Sequence, residues 1–139
     1  VCSMNLAFKR EIIPAFYQLP MDDNEWKIGR FDDIWSGVIM KKICDNLGKD
    51  IINCHPLCAH NKAPRSTFKD LMAEGPALEM NEHLWKIIDS IEFKTRDYGS
   101  MYKEIASALE KGKWNFMNSD FLNFMGKLMI RWTEAVEKL

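Results

Sequence analysis

The sequence predicts an α/β beginning that runs into a helical second half. Two short apolar stretches, "CSMNLAF" (Cys2–Phe8) and "KDIINC" (Lys49–Cys54), read as strands on either side of a strong helical pattern. The second half then carries three helical stripes in succession. A strand–helix–strand followed by helices is the closing pattern of an α/β domain with a helical extension. The boundary falls near residue 64, giving an α/β portion over residues 1–64 and an extension packed on it over 65–139.

The elements follow in order. The opening "VCSMNLAF" alternates like the middle of a strand, with no cap or turn before it, which predicts that the chain is cut from a longer one. In "KREIIPAFYQL", Pro14 limits any helix to short pieces. The polar stretch Met21–Arg30 predicts an exposed loop. From Asp32 to Leu47, Trp35, Ile39, Ile43 and Leu47 repeat at i, i+4, Asp32 is placed to cap, and Gly48 stops the helix. Leu84, Ile87, Ile88 and Ile91 predict a helix from roughly Leu78. Met101, Tyr102, Ile105 and Leu109 predict another, closed by Gly112. Ser119 is the expected N-cap of the last, whose face is Phe121, Phe124, Met125, Leu128, Trp132 and Val136.

Composition excludes several classes. The chain has 139 residues, 47% hydrophobic, with five Trp, eight Phe and nine Met, so it can bury a core and is not disordered. Lys and Arg number 19 against 20 Asp and Glu, which gives no basic excess for nucleic acid. The apolar runs are too short to span a bilayer. Four cysteines without a secretory signal pattern predict free thiols in a reducing compartment.

The stretch "INCHPLCAHNK" places Cys54, His55, Cys58 and His60 within seven residues. Structural zinc sites usually take one ligand pair from a knuckle and another from a distant element. No second pair follows. In an extended segment Cys54, Cys58 and His60 share a side and His55 faces away. Buried thiols beside one useful histidine is the simpler reading.

Four segments in register, "MNLAF-REIIPAFY", "IGRFDDIWSG", "ICDNLG" and "P---HNKA", resemble the reversibly glycosylated polypeptides, which are UDP-arabinopyranose mutases. The closing "WTEAVEKL" is similar to that family's last helix. The likeness is close from Met4 to Ala63 and loose from Pro64 to Asn118, and it covers only the C-terminal part of the family chain. It implies a glycosyltransferase type A-like fold that binds nucleotide sugars. The implied activity is pyranose–furanose interconversion of UDP-arabinose, with self-glycosylation. A divalent metal, Mn²⁺ or Mg²⁺, is implied to bridge the diphosphate of the UDP-sugar. The family's metal-binding Asp-rich motif and self-glycosylated Arg have no counterpart here. The loop pair Asp22 and Asp23 is not that motif.

The resemblance assigns roles residue by residue. His60 takes the family's histidine position and is the expected metal or diphosphate contact, and Lys62 two residues on would neutralise phosphate. Asp32 and Asp33 are the expected catalytic pair. A carboxylate can take a proton or orient a hydroxyl as the sugar ring opens and closes. Asp32 could equally be only the cap, which makes Asp33 the better functional candidate. Arg30 would bind phosphate or brace Asp33. Trp35 belongs to the core and His83 to the surface. The implied partners are a UDP-sugar, a missing N-terminal half or complementary subunit, and further copies in a homo- or hetero-oligomer. The implied location is the cytoplasm, with Golgi association. Two other classes stay open: a non-catalytic helical interaction module and a small zinc module.

Overall fold

A computed structural model describes residues 5–21, 24–59, 61 and 64–139. A short 3₁₀ helix, Arg10–Ala15, precedes four α-helices among the described residues: α1 (Asp32–Asn46), α2 (Thr67–Ser90), α3 (Tyr98–Lys111) and α4 (Asp120–Val136).

No strand occurs among the described residues, so the α/β, glycosyltransferase type A-like expectation is overturned. The physical reason is pairing. A strand exists through its ladder of hydrogen bonds to a neighbour, and alternation alone does not supply one. Asn5–Phe8 has no ladder partner among the described residues, and the rest of the predicted first strand lies outside them. Every residue from 51 to 59 is exposed, so the second predicted strand has no core to alternate against.

Helix α1 forms where its stripe predicts, but Asp32 is not its cap. Phe31 holds the N-cap position without a side-chain bond, and Asp32 and Asp33 occupy the first turn. There both carboxylates face the positive end of the helix dipole. Trp35, Ile39 and Ile43 are fully or nearly fully buried. At the other end the Lys49 N–H reaches the Cys44 carbonyl at 2.9 Å and the Gly48 N–H that of Asp45 at 3.2 Å. Gly48 has φ +63°, so this is a Schellman stop that a glycine adopts without steric cost.

Helix α2 begins eleven residues earlier than the stripe suggested, at Thr67 rather than near Leu78. Ser66 caps it, its side chain accepting from the Lys69 N–H. The helix continues through Gly75 and Pro76, residues that mark a break in most sequences. Core burial on this helix starts only at Ala77 and continues through Met80, Leu84 and Ile88. Trp35 of α1 donates its indole N–H to Asn81 Oδ1 at 3.1 Å, and Lys42 Nζ donates to the Asp89 carbonyl at 2.6 Å.

The closest packing is between α3 and α4. Asp97 caps α3 by accepting from the Ser100 N–H at 2.9 Å. Ser119 stands at the start of α4 but caps nothing with its side chain, which donates instead to the Trp114 carbonyl at 3.1 Å. Asn123 shares its amide N–H groups among the carbonyls of Leu109, Glu110 and Gly112, at 2.9, 2.9 and 3.0 Å. Those are carbonyls a helix C-terminus leaves open. The 3₁₀ helix is pinned to the same pair: Trp132 Nε1 donates to the Ile13 carbonyl at 3.2 Å, and Tyr17 stacks on Trp132. One continuous core joins all five elements.

Candidate functional site

The loop that precedes α1 is not the uniformly exposed stretch its polarity predicted. Ile28 is fully buried, and Trp26 packs edge-on against Phe121 and tilted against Phe124. The Asn24 side chain brackets Ile28 from both directions, donating to its carbonyl at 2.7 Å and accepting from its N–H at 3.1 Å. This tight fold puts Lys27 at φ 51° and Arg30 at φ 63°, left-handed positions that non-glycine residues seldom occupy.

Arg30 is held there by α2. Its Nη1 lies 2.7 Å from Asp70 Oδ1 and its Nε 2.9 Å from Glu74 Oε1. The two carboxylates are spaced i, i+4 and so share one face of the helix. That spacing is the sequence signal for a guanidinium partner, and it becomes meaningful only with α2 starting at Thr67, ahead of both carboxylates.

Between this loop and the first turns of α2 lies an open cleft of ≈ 920 Å³. Lys27 and Lys69 bring positive charge to it, Asp32 brings a carboxylate, and Arg30 reaches it with its guanidinium already paired to Asp70 and Glu74. Ile28, Phe68 and Met72 supply apolar wall. Cations beside an aromatic ring suit a ligand that joins a phosphate to a planar base. Of the residues expected to act, Arg30 and Asp32 therefore share one cleft. Asp33 is one helical position further on, half-buried, and its carbonyl accepts from Ser36 Oγ at 3.1 Å. His60 and Lys62 lie outside the described residues.

Cys54, His55 and Cys58 are all exposed in an extended segment, which corrects the expectation that the two thiols are buried. Among the described cysteines Cys44 is buried, and burial pushes its thiol pKa up. No group of three or more His, Cys, Asp or Glu among the described residues is placed to hold a metal ion. His83 is on the surface as expected, its ring stacked on Phe116 with centroids 4.2 Å apart.

A model of the reversibly glycosylated polypeptides matches residues 1–139, the full length of the sequence. The chain belongs to the reversibly glycosylated polypeptide family. Among curated family relatives, UDP-arabinopyranose mutase 1 of Arabidopsis thaliana is 34% identical over 143 residues, covering 100% of this chain and 39% of its own length. UDP-arabinopyranose mutase 3 of the same plant is 33% identical over 142 residues, with 38% of its length covered. Probable UDP-arabinopyranose mutase 2 of Solanum tuberosum is 34% identical over 143 residues, again with 38% covered. The chain thus spans less than two-fifths of these relatives and corresponds to a C-terminal part of them. No solved structure matches it at a significant level.

Proposed function

We propose that this chain is part of a UDP-sugar mutase that interconverts pyranose and furanose rings, as the names of its relatives describe. The observation that carries the reading is the family match over residues 1–139, with mutases among the relatives. The cleft at Arg30 and Asp32 supports it chemically. In this reading the cleft is one wall of the nucleotide-sugar site. Arg30 and Lys62 are assigned to the diphosphate, and Arg30 would trade its Asp70 and Glu74 partners for phosphate oxygens. Asp32 and Asp33 take or return a proton at a sugar hydroxyl as the ring opens and recloses.

A divalent Mn²⁺ or Mg²⁺ belongs to the same proposal, where it would offset diphosphate charge. His60 is its contact from this side. In this reading the remaining ligands come from another part of the enzyme. That part is a complementary half or subunit, within a homo- or hetero-oligomer. No helix among the described residues is long and apolar enough to cross a membrane. We place the enzyme in the cytoplasm, with Golgi association.

The test is reconstitution. This chain is co-expressed with the portion of Arabidopsis mutase 1 that precedes the matched segment, and UDP-arabinose ring forms are separated by chromatography. Conversion by the pair, lost in Asp33→Asn and weakened through KM in Arg30→Ala, supports the reading. Conversion unaffected by either substitution removes the proposed roles. The chain alone should bind a UDP-sugar weakly or undetectably by calorimetry; tight binding contradicts the need for a second half.

A non-catalytic interaction module is the second reading, favoured by the exposed Phe68, Leu71 and Met72 on α2. It predicts stable association in the same co-expression without any conversion.

A further inference from the structure

The guanidinium of Arg30 is held by two carboxylates at once. Its Nη1 meets Asp70 Oδ1 at 2.7 Å and its Nε meets Glu74 Oε1 at 2.9 Å, so two separate N–H groups are occupied by α2. The residue also stands at φ 63°, while the neighbouring Gly29 is not the one that takes the left-handed position. A residue with a side chain stays in that region only where its surroundings impose it, and such residues gather at ligand clamps and switches.

Placement shows what the two ion pairs do to the cleft. Arg30 lines it together with Phe68, Lys69, Met72 and Ala73 of α2, but Asp70 and Glu74 do not. At 100° per residue those carboxylates lie further round the helix than the lining residues. They therefore draw the guanidinium from beside the cleft. Lys27 and Lys69 line the cleft and enter no ion pair among the described residues. The Arg30, Asp70 and Glu74 side chains are 38, 28 and 34% exposed. Ion pairs this wet hold weakly, and phosphate oxygens offer a guanidinium the same paired geometry with more charge.

We propose that Asp70 and Glu74 compete with the ligand for Arg30, so that a diphosphate binds by taking the guanidinium from them. The inference rests on the UDP-sugar reading of the cleft. It adds two positioning residues that set affinity through Arg30 without touching the substrate. Their competition lowers the apparent affinity by the fraction of molecules in which Arg30 is released. The contact thus trades tight binding for ready release.

The experiment titrates inorganic pyrophosphate into the labelled chain and follows backbone amide shifts by nuclear magnetic resonance. Asp70→Asn combined with Glu74→Gln should tighten binding about two- to tenfold and lower the melting temperature slightly. A contact that only holds the fold would weaken both. Arg30→Ala should weaken binding. In that background the double change should bring no more gain than Glu82→Gln, an exposed carboxylate of the same helix that controls for lost charge alone. Unchanged or weaker binding in the double variant overturns the proposal. So does an equal gain without Arg30, or the absence of any pyrophosphate response in every variant. Ring interconversion by the reconstituted pair tests the mutase reading separately. The expected pyrophosphate pattern without conversion upholds the competition and removes that reading, and conversion without the pattern removes the competition alone.

Discussion

The indole N–H of Trp35 meets the Asn81 carboxamide at 3.1 Å, joining α1 to α2 through a side chain that is itself fully buried. A buried donor that loses its acceptor keeps its desolvation cost, about 1–3 kcal/mol. Asn81→Leu should therefore lower stability by roughly that amount, read as a reduced urea midpoint. Trp35→Phe with Asn81→Leu should cost less than the sum of the two single changes, because the orphaned donor is gone.

Gly126 is where the backbones of α3 and α4 come closest. A Cβ there would lie 2.5 Å from the Ala106 carbonyl oxygen, 2.5 Å from the Glu110 nitrogen and 2.9 Å from its Cα. These are backbone atoms, which cannot swing away as a flexible side chain can. Gly126→Ala should destabilise by about 1–3 kcal/mol or more, despite the better helix propensity of alanine. Thermal unfolding followed by circular dichroism measures it. The same substitution at Gly75 should move the melting temperature the other way.

Two carboxylates give the stability an acid dependence. Asp97 is held below the ordinary carboxylate range, chiefly by the Ser100 backbone N–H. Burial works to raise the Glu104 pKa, but hydrogen bonds from the Thr95 hydroxyl and the Lys94 and Thr95 N–H groups outweigh it, and the net shift is downward. A folded-state pKa below the unfolded value contributes stability above the unfolded pKa and loses it as pH falls through the folded one. The urea midpoint should thus decline between neutral pH and the acidic side of the carboxylate range. Glu104→Gln should flatten part of that decline.

Thiol reactivity should separate the cysteines. Cys54 and Cys58 are exposed, whereas Cys44 is buried with its pKa pushed up, and the thiolate is the reacting form. With a thiol-reactive chromogenic disulfide, Cys54→Ser and Cys58→Ser should each remove one fast equivalent. Cys44→Ser should leave the fast phase unchanged. Zinc near one equivalent that disappears with Cys58→Ser would revive the zinc module.

What the sequence disclosed follows from how local each determinant is. The stripe of Trp35, Ile39 and Ile43, the stop at Gly48 and the face of α3 are set by neighbours three or four residues apart and were legible. On α4 the buried face turns toward Leu122, Met129 and Thr133, leaving the expected Phe124, Leu128, Trp132 and Val136 half-buried. The two predicted strands were not legible, because alternation cannot say whether a pairing neighbour exists. The start of α2 was hidden by Gly75 and Pro76, whose propensities are overridden once Ser66 caps the helix and Met80 and Leu84 anchor it. At the site, Arg30 and Asp32 were legible as types in a motif. The partners of Arg30, Asp70 and Glu74, stand some forty residues away, and only the folded chain brings the guanidinium to them.

The bond from Trp132 to the Ile13 carbonyl spans 119 positions of sequence. Forming it closes a long loop, whose ordering costs entropy. Helices α3 and α4, by contrast, are consecutive and joined by a short connection, so little loop entropy opposes their meeting. Loop entropy thus favours α3 and α4 meeting before the Trp132–Ile13 bond closes. On that order the 3₁₀ helix docks onto a helix pair that already stands, held there by the tryptophan.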